Sequence, residues 1–106
     1  MKKIDIRAVK QKRWALWYVK NQTEEICLAS VRRYGMALQY VRNQTEEICL
    51  IAVKTYGLAL QYVKNQTYEV CLEAVKQNGW AIEDIQDPSM KQRVSEKLGI
   101  EEGSDE

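Results

Sequence analysis

The chain has 106 residues, of which 45% are hydrophobic and 29% are charged, and its formal net charge is +1. These values are typical of one globular domain, and no apolar run approaches the roughly 18 residues that a membrane-spanning helix requires. We therefore expect no membrane partner, and the near-neutral charge argues against a protein dedicated to nucleic acid. The basic N-terminus lacks the apolar core of a secretory signal, which predicts a cytoplasmic location.

The sequence repeats with a period of 22 residues, and residues 1–88 contain four copies of the repeat. The second copy (23–44) and the third copy (45–66) share 16 of 22 positions. A repeat of this length cannot bury its apolar face alone, so successive copies must stack. We predict an all-α fold, an α-solenoid of four helix-turn-helix repeats over 1–88, with a C-terminal capping helix over 89–100 and a disordered acidic tail over 101–106.

The first copy departs from the others at its start and in its turn. Met1 and Asp5 replace the threonine and the cysteine of the later copies, which predicts a polar N-terminal cap. Arg13 and Trp14 stand where other copies have glycine and, usually, an aliphatic residue. We therefore expect the turn of the first copy to be distorted.

An α-helix is predicted at the beginning of each later copy. Each of these copies opens with a threonine suited to N-capping: Thr23, Thr45 and Thr67. The acidic residues that follow favour the positive end of the helix dipole. A glycine in each copy predicts the end of the helix by a left-handed cap: Gly35, Gly57 and Gly79.

A second helix of about two turns is predicted in each copy, from Met36 to Arg42 in the second one. So short a helix is marginal in water, so that its stability must come from neighbouring copies. Asn43 and Asn65 are suited to a left-handed C-cap after it.

A ninth helix is predicted after the last copy. Asp87 and Pro88 provide its N-cap and first turn, and Gly99 ends it. Apolar residues recur along it at helical spacing: Met90, Val94 and Leu98.

Three cysteines, Cys27, Cys49 and Cys71, lie one period apart. An odd number locked to the repeat does not indicate a disulfide framework, so we interpret them as small buried residues. Helix axes in neighbouring repeats should lie about 8–10 Å apart, too far for the cysteines to surround one zinc ion. Since the chain also lacks histidine and a Gly-x-Gly loop, we expect a non-enzymatic protein without metal or cofactor.

The segments AVKQNGWA at 74–81 and ICLIAVKTYGLALQYVKNQ at 48–66, with their copies, resemble the repeat family known as domain of unknown function 4116. The Ala-Val-Lys, Gly-x-Ala-Leu and Tyr-Val positions recur in register, and the resemblance covers residues 1 to about 86. It implies an α-solenoid of helix pairs, of a kind found in bacteria, their mobile elements and large viruses. It implies no established activity.

Basic and aromatic residues recur at equivalent positions of the repeats, which we call columns. Stacking of the repeats brings the residues of one column next to each other. One basic column ends the first helices: Lys10, Arg32, Lys54 and Lys76. A second ends the shorter helices: Lys20, Arg42 and Lys64. Helix dipoles account for both, but a row of cations also attracts phosphates or an acidic protein surface. The tyrosines Tyr18, Tyr40 and Tyr62 either bury their rings between repeats or present an aromatic ladder.

The N-terminal end combines charge with aromatic rings, in Lys10, Arg13 and Trp17 among others. Because polar residues occupy the position of Trp17 in the other copies, the pattern places this side chain in solvent, where it would anchor an interface. The alternative is that Trp17 folds back over the N-terminal cap. The predicted partner-binding residues are Trp17, Arg13, Lys10, Arg32, Lys54, Lys76, Tyr40 and Tyr62.

Repeat arrays mostly serve as extended interaction surfaces, so we expect a protein-binding module. One form would be a phage or mobile-element inhibitor or adaptor acting on a host macromolecular complex. A nucleic-acid-binding helical repeat protein is the first alternative. A structural array is the second, either a designed one or one that self-associates through its basic N-terminus and acidic tail. The sequence leaves these alternatives open.

Overall fold

The computed structural model describes residues 6–12 and 14–100. The α-helices are α1 (Ile6–Gln11), α2 (Glu24–Arg33), α3 (Glu46–Thr55), α4 (Tyr68–Gln77) and α5 (Pro88–Leu98). Four 3₁₀-helices alternate with them: η1 (Ala15–Tyr18), η2 (Gly35–Tyr40), η3 (Gly57–Tyr62) and η4 (Gly79–Asp84). The predicted cap at Met1 and Asp5, residue Arg13 and the predicted tail 101–106 lie outside the described residues.

The helices form two rows. Each α-helix packs against the next from α1 to α5, and each 3₁₀-helix packs against the next from η1 to η4. The core between the rows consists of alanine, valine, leucine, isoleucine and cysteine side chains. η2 and η3 also contact the α-helix of the following repeat, so that the repeats interlock. The predicted all-α solenoid is confirmed.

The α-helices begin where the threonines predict. The Oγ1 atom of each threonine accepts a hydrogen bond, 3.2 Å long in each case, from the backbone N–H three residues later. The donors are Ile26, Ile48 and Val70. Each bond satisfies one of the N–H groups that a helix start leaves without a partner.

The predicted second helix of the repeat, from Met36 to Arg42, is present as a 3₁₀-helix with slightly earlier bounds. It begins at Gly35 and ends at Tyr40, and the N–H of Val41 donates to the Leu38 carbonyl oxygen at 3.0 Å. A 3₁₀-helix rises about 2.0 Å per residue and an α-helix about 1.5 Å. Because of this larger rise, the six residues of η2 span most of the length of the ten-residue α2, which keeps the repeat short.

The predicted left-handed caps at Asn43 and Asn65 were wrong, and the glycines at the predicted helix stops, Gly35, Gly57 and Gly79, are not left-handed either. Within the described residues, Gly99 has the one positive φ, at 72°. Gly35 and Gly57 instead allow neighbouring repeats to pack closely. A Cβ atom on Gly57 would lie 2.5 Å from the Ala74 carbonyl oxygen, and a Cβ atom on Gly35 would lie 2.6 Å from the Ala52 carbonyl oxygen. These glycines therefore allow the α-helix of the next repeat to approach.

Glutamines join each repeat to the next at the opposite end of the 3₁₀-helix. Gln44 Nε2 donates to the Tyr62 carbonyl oxygen at 2.8 Å, and its Oε1 accepts from the N–H of Lys64 at 3.0 Å. Gln22 and Gln66 make the equivalent pair of bonds to the repeat that follows each of them. This glutamine ladder, defined by Gln22, Gln44 and Gln66, satisfies the backbone where the asparagines were expected to do so.

The two ends of the described chain differ from the middle. η1 has four residues, whereas η2 has six. The residue before η1, Trp14, has φ −91° and ψ −6°, whereas the residue before η2, Tyr34, is extended. The turn of the first repeat is thus distorted, as expected. At the other end, α5 packs on α4 and η4, Asp87 Oδ1 accepts from the N–H of Ser89 at 3.0 Å, and Gly99 ends the helix.

Candidate functional site

The aromatic residues are concentrated on the row of 3₁₀-helices. Of the nine tryptophans and tyrosines, all of which lie in the described part of the chain, only Tyr68 lies outside a 3₁₀-helix or the residue before one. None of the nine belongs to the buried core. The core is thus filled by aliphatic and cysteine side chains, and the aromatic rings lie toward solvent.

Register places equivalent residues of the 3₁₀-helices in columns. The first column is Trp14, Met36, Leu58 and Trp80. The second is Tyr18, Tyr40 and Tyr62, with Asp84 in the last repeat. In the first repeat the rings of Trp14 and Tyr18 meet edge to face with centroids 5.6 Å apart, so the two columns are neighbours. We call these seven apolar residues, together with Trp17, the aromatic face.

Trp17 lies in solvent, as its column predicts. Its side chain is 61% exposed, and its ring meets that of Tyr18 edge to face at 4.9 Å. Tyr18 is itself 55% exposed, whereas Tyr40 and Tyr62 are half-buried. The inner rings of the tyrosine column are therefore partly covered, and the outer ring is open to solvent.

The predicted basic residues lie on the other row. Lys10, Arg32, Lys54 and Lys76 are exposed at the C-terminal ends of α1 to α4. Acidic residues occupy the first turns of α2, α3 and α4, so charge is segregated between the two edges of the α row. The predicted site residues therefore form two groups, an aromatic one and a basic one, and not one cluster.

The second basic column is structural at Arg42. Its Nη2 atom donates to the carbonyl oxygens of Val19 at 2.7 Å and Lys20 at 2.6 Å. Because these oxygens lie at the end of η1, the guanidinium caps the 3₁₀-helix of the preceding repeat. Because the Arg42 guanidinium is used in these contacts between repeats, it contributes little to a row of cations that attracts phosphate.

The aromatic and basic groups adjoin at the turn between the two helices of a repeat. The Arg33 guanidinium lies 5.3 Å from the centroid of the Tyr34 ring, and Lys12 Nζ lies 5.9 Å from that of Trp14. Such cation–π contacts are attractive, by about 0.5–1 kcal/mol at exposed sites. Cations therefore lie beside aromatic rings at the turns of the first two repeats.

A model of the family described as Domain of unknown function (DUF4116) matches residues 23–66 and again residues 45–91. The chain belongs to this family. The two DUF4116 matches begin one repeat period apart, so each covers two stacked repeats, and the divergent first repeat lies outside both. No curated protein and no solved structure matched the chain.

Trp80 is a candidate site residue of the DUF4116 array that the sequence does not single out on its own. At 76% it is the most exposed of the large apolar side chains in the described part of the chain. The signal was its column, because Trp14 occupies the same position at the other end of the array. Tryptophan at both ends of one column frames the half-buried Met36 and Leu58 between them.

The thiols of the DUF4116 repeats are buried and free. Burial raises the pKa of Cys49 and of Cys71 to about 11, and for Cys49 the nearby Glu46 adds to the effect. Burial also raises the pKa of Cys27. All three thiols therefore stay protonated at neutral pH, which makes them poor nucleophiles and poor metal ligands.

Two further properties bear on the kind of site. In residues 6–12 and 14–100, no three histidine, cysteine, aspartate or glutamate side chains are grouped closely enough to hold a metal ion. Across the same residues, no helix has the length and apolar character needed to cross a bilayer.

Proposed function

We propose that the chain is a non-enzymatic binding module that docks another protein on its aromatic face. The observation that carries this proposal is that none of the nine aromatic side chains is buried, while eight of them line one row of helices. Tryptophan and tyrosine dominate the energy of protein interfaces, because they bury a large area at a small cost in side-chain entropy. Contiguous exposed apolar patches on soluble proteins mark such interfaces.

The charges around the aromatic face favour a protein over a nucleic acid. At the C-terminal end, Asp84 replaces the tyrosine of its column and Glu83 occupies the column of Trp17. These carboxylates would repel a phosphate backbone that followed the rings. Partial burial also raises the pKa of Asp84, with Glu83 adding to the shift.

Binding of this kind fits a small adaptor or inhibitor acting in the cytoplasm. The array exposes two tryptophans on η1 and its preceding residue and one on η4, so a partner that contacts all three must span the stack. The protonated, buried thiols offer no reactive group for catalysis beside this face.

The test is affinity capture from a lysate of the source organism with nuclease-treated and untreated samples. The triple variant Trp14→Ala/Trp17→Ala/Trp80→Ala is compared with Tyr68→Ala, which removes an aromatic ring on α4, outside the row of 3₁₀-helices. Truncation of a hot-spot residue costs about 2 kcal/mol or more, so we expect the triple variant to lose the partner by at least about thirtyfold. Tyr68→Ala is expected to retain it, and both variants should keep the helical circular dichroism of the parent.

Two results would count against this proposal. Capture that disappears after nuclease treatment would assign the face to nucleic acid. A partner held equally well by the parent and the triple variant would show that docking occurs elsewhere on the array.

A further inference from the structure

A cleft of about 540 Å³ opens on the α row between α1 and α2. Its lining residues are Lys10, Glu25, Ala29, Arg32 and Arg33. Four of these lie on one face of α2, and Lys10 comes from the adjacent end of α1. The methyl group of the buried Ala29 lies among three cations and one acid, so that these described lining residues carry an excess of two positive charges at neutral pH.

The first interface differs from the equivalent positions in the following repeats. Ile51, which has a larger side chain, stands at the position of Ala29 in α3. Glu73 stands there in α4, where its carboxylate lies 3.5 Å from Lys76 Nζ. The small residue and the excess of cations therefore coincide only at the α1–α2 interface, within the described repeats.

The cations of this cleft are available to an external anion. Within the described residues, Lys10, Arg32 and Arg33 form no ion pair, whereas Lys76 of the same column is paired with Glu73. Arg33 contacts the Tyr34 ring through its guanidinium, which leaves its N–H groups free to donate at the edge of the plane. Guanidinium groups of this kind bind carboxylates through two parallel hydrogen bonds.

The cleft is continuous with the aromatic face. Arg33 lies over Tyr34, the Tyr34 hydroxyl donates to the Gln11 carbonyl oxygen at 2.9 Å, and the next residue, Lys12, lies over Trp14. These contacts join the basic lining to the aromatic face across one turn of the chain. An occupant of the cleft is therefore adjacent to an occupant of the N-terminal part of the aromatic face.

We propose that the cleft anchors the carboxylates of an acidic stretch in the protein partner, whose neighbouring apolar side chains cover Trp14, Trp17 and Tyr18. This inference rests on the proposed function and names the chemistry of the partner. An excess of two positive charges matches two aspartate or glutamate side chains. A long polyanion fits less well, because Glu25 lines the cleft and Glu47 and Glu69 occupy the equivalent positions of the next helices.

Calorimetric titration of the full chain with tetra-L-glutamate, a short acidic peptide, at low salt tests the cleft without knowledge of the partner. Arg32→Glu/Arg33→Glu is compared with Lys54→Glu/Lys76→Glu, which makes the same change in net charge on later repeats of the α row. We expect the first variant to weaken binding by about tenfold or more and the control by less than about threefold. Equal losses in the two variants, or no binding by the parent, would overturn the proposal.

Inorganic pyrophosphate and single-stranded oligothymidylate are titrated in parallel at equal ionic strength. Tighter binding of either than of tetra-L-glutamate, with the same dependence on Arg32 and Arg33, would overturn the assignment to carboxylates. If the tryptophan variants lose the captured protein and Arg32→Glu/Arg33→Glu does not, the proposed function stands and the inference about the cleft fails.

With the captured protein, carbodiimide cross-linking adds a direct readout, because it joins an amine to a carboxylate in contact with it. We expect a cross-link from Lys10 to an aspartate or glutamate of that protein. A complex that forms while Lys10 stays unlinked would contradict the proposed contact.

Discussion

Gly57→Ala is expected to lower the free energy of unfolding by about 3 kcal/mol, at the upper end of the usual cost of overpacking a close contact. The added Cβ would lie 2.5 Å from the Ala74 carbonyl oxygen and 2.9 Å from Gln77 Oε1. The first of these atoms belongs to the backbone of α4, so it cannot move without separating the third and fourth repeats. The N–H of Gly57 also donates to Gln77 Oε1, a hydrogen bond that the displaced repeat would lose.

Gly79→Ala is the matched control, since it makes the same substitution at the same repeat position. No atom lies within 4 Å of the added Cβ, because α5 follows the fourth repeat with a different geometry. We expect a change between zero and a stabilisation of about 1 kcal/mol, from the reduced entropy of the unfolded chain. Urea denaturation followed by circular dichroism measures both variants, and similar losses in the two would contradict the close stacking at Gly57.

Gln44→Leu should lower the free energy of unfolding by about 1–3 kcal/mol, because it removes the partner of one partly buried carbonyl oxygen and of one exposed N–H group. These are the Tyr62 carbonyl oxygen and the Lys64 N–H, which the glutamine bridges from the preceding repeat. The Cys49 thiol, 3.5 Å from Gln44 Oε1, loses its acceptor as well. Leucine fills a similar volume, so the loss reports on hydrogen bonding more than on packing.

Gln61→Leu is the control for this substitution. Gln61 is exposed, and its Nε2 donates at 3.0 Å to the Leu58 carbonyl oxygen within the same helix. Its replacement is expected to change the free energy of unfolding by about 0.5 kcal/mol or less, as is usual at the surface. Gln44→Glu supplies a second comparison, since it retains an acceptor for Lys64 but loses the donor to Tyr62. If Gln44→Leu and Gln61→Leu unfold at the same urea concentration, the glutamine ladder does not hold the repeats together.

Local chemistry explains why so much of the fold was predictable. The threonine caps, the Asp87–Pro88 start and the Gly99 stop each depend on residues within one turn of the position concerned. The 22-residue period then predicted where the same elements lie in the remaining repeats. Column comparison also located Trp17 in solvent, because three polar equivalents mark that position as exposed.

The predictions failed at residues whose contacts lie in the next repeat. Gly35 and Gln44 act on atoms 17 or more residues further along the chain, so nothing in their own neighbourhood distinguishes a close approach from a helix stop. The choice of a 3₁₀-helix also depends on the length of the α-helix beside it. Trp80 was overlooked because its column holds aliphatic residues in two repeats, which is typical of partial burial and not of a binding position.

The most direct test of docking on the aromatic face uses the three tryptophans as reporters, because all of them lie on it. The chain is labelled with 5-fluorotryptophan, the three ¹⁹F resonances are assigned by Trp→Phe substitution, and the unlabelled captured partner is added to saturation. We predict that the resonances of Trp14, Trp17 and Trp80 all shift and lose their sensitivity to exchange between H₂O and D₂O. Three unchanged resonances in a complex whose formation is shown by sedimentation would contradict docking on this face.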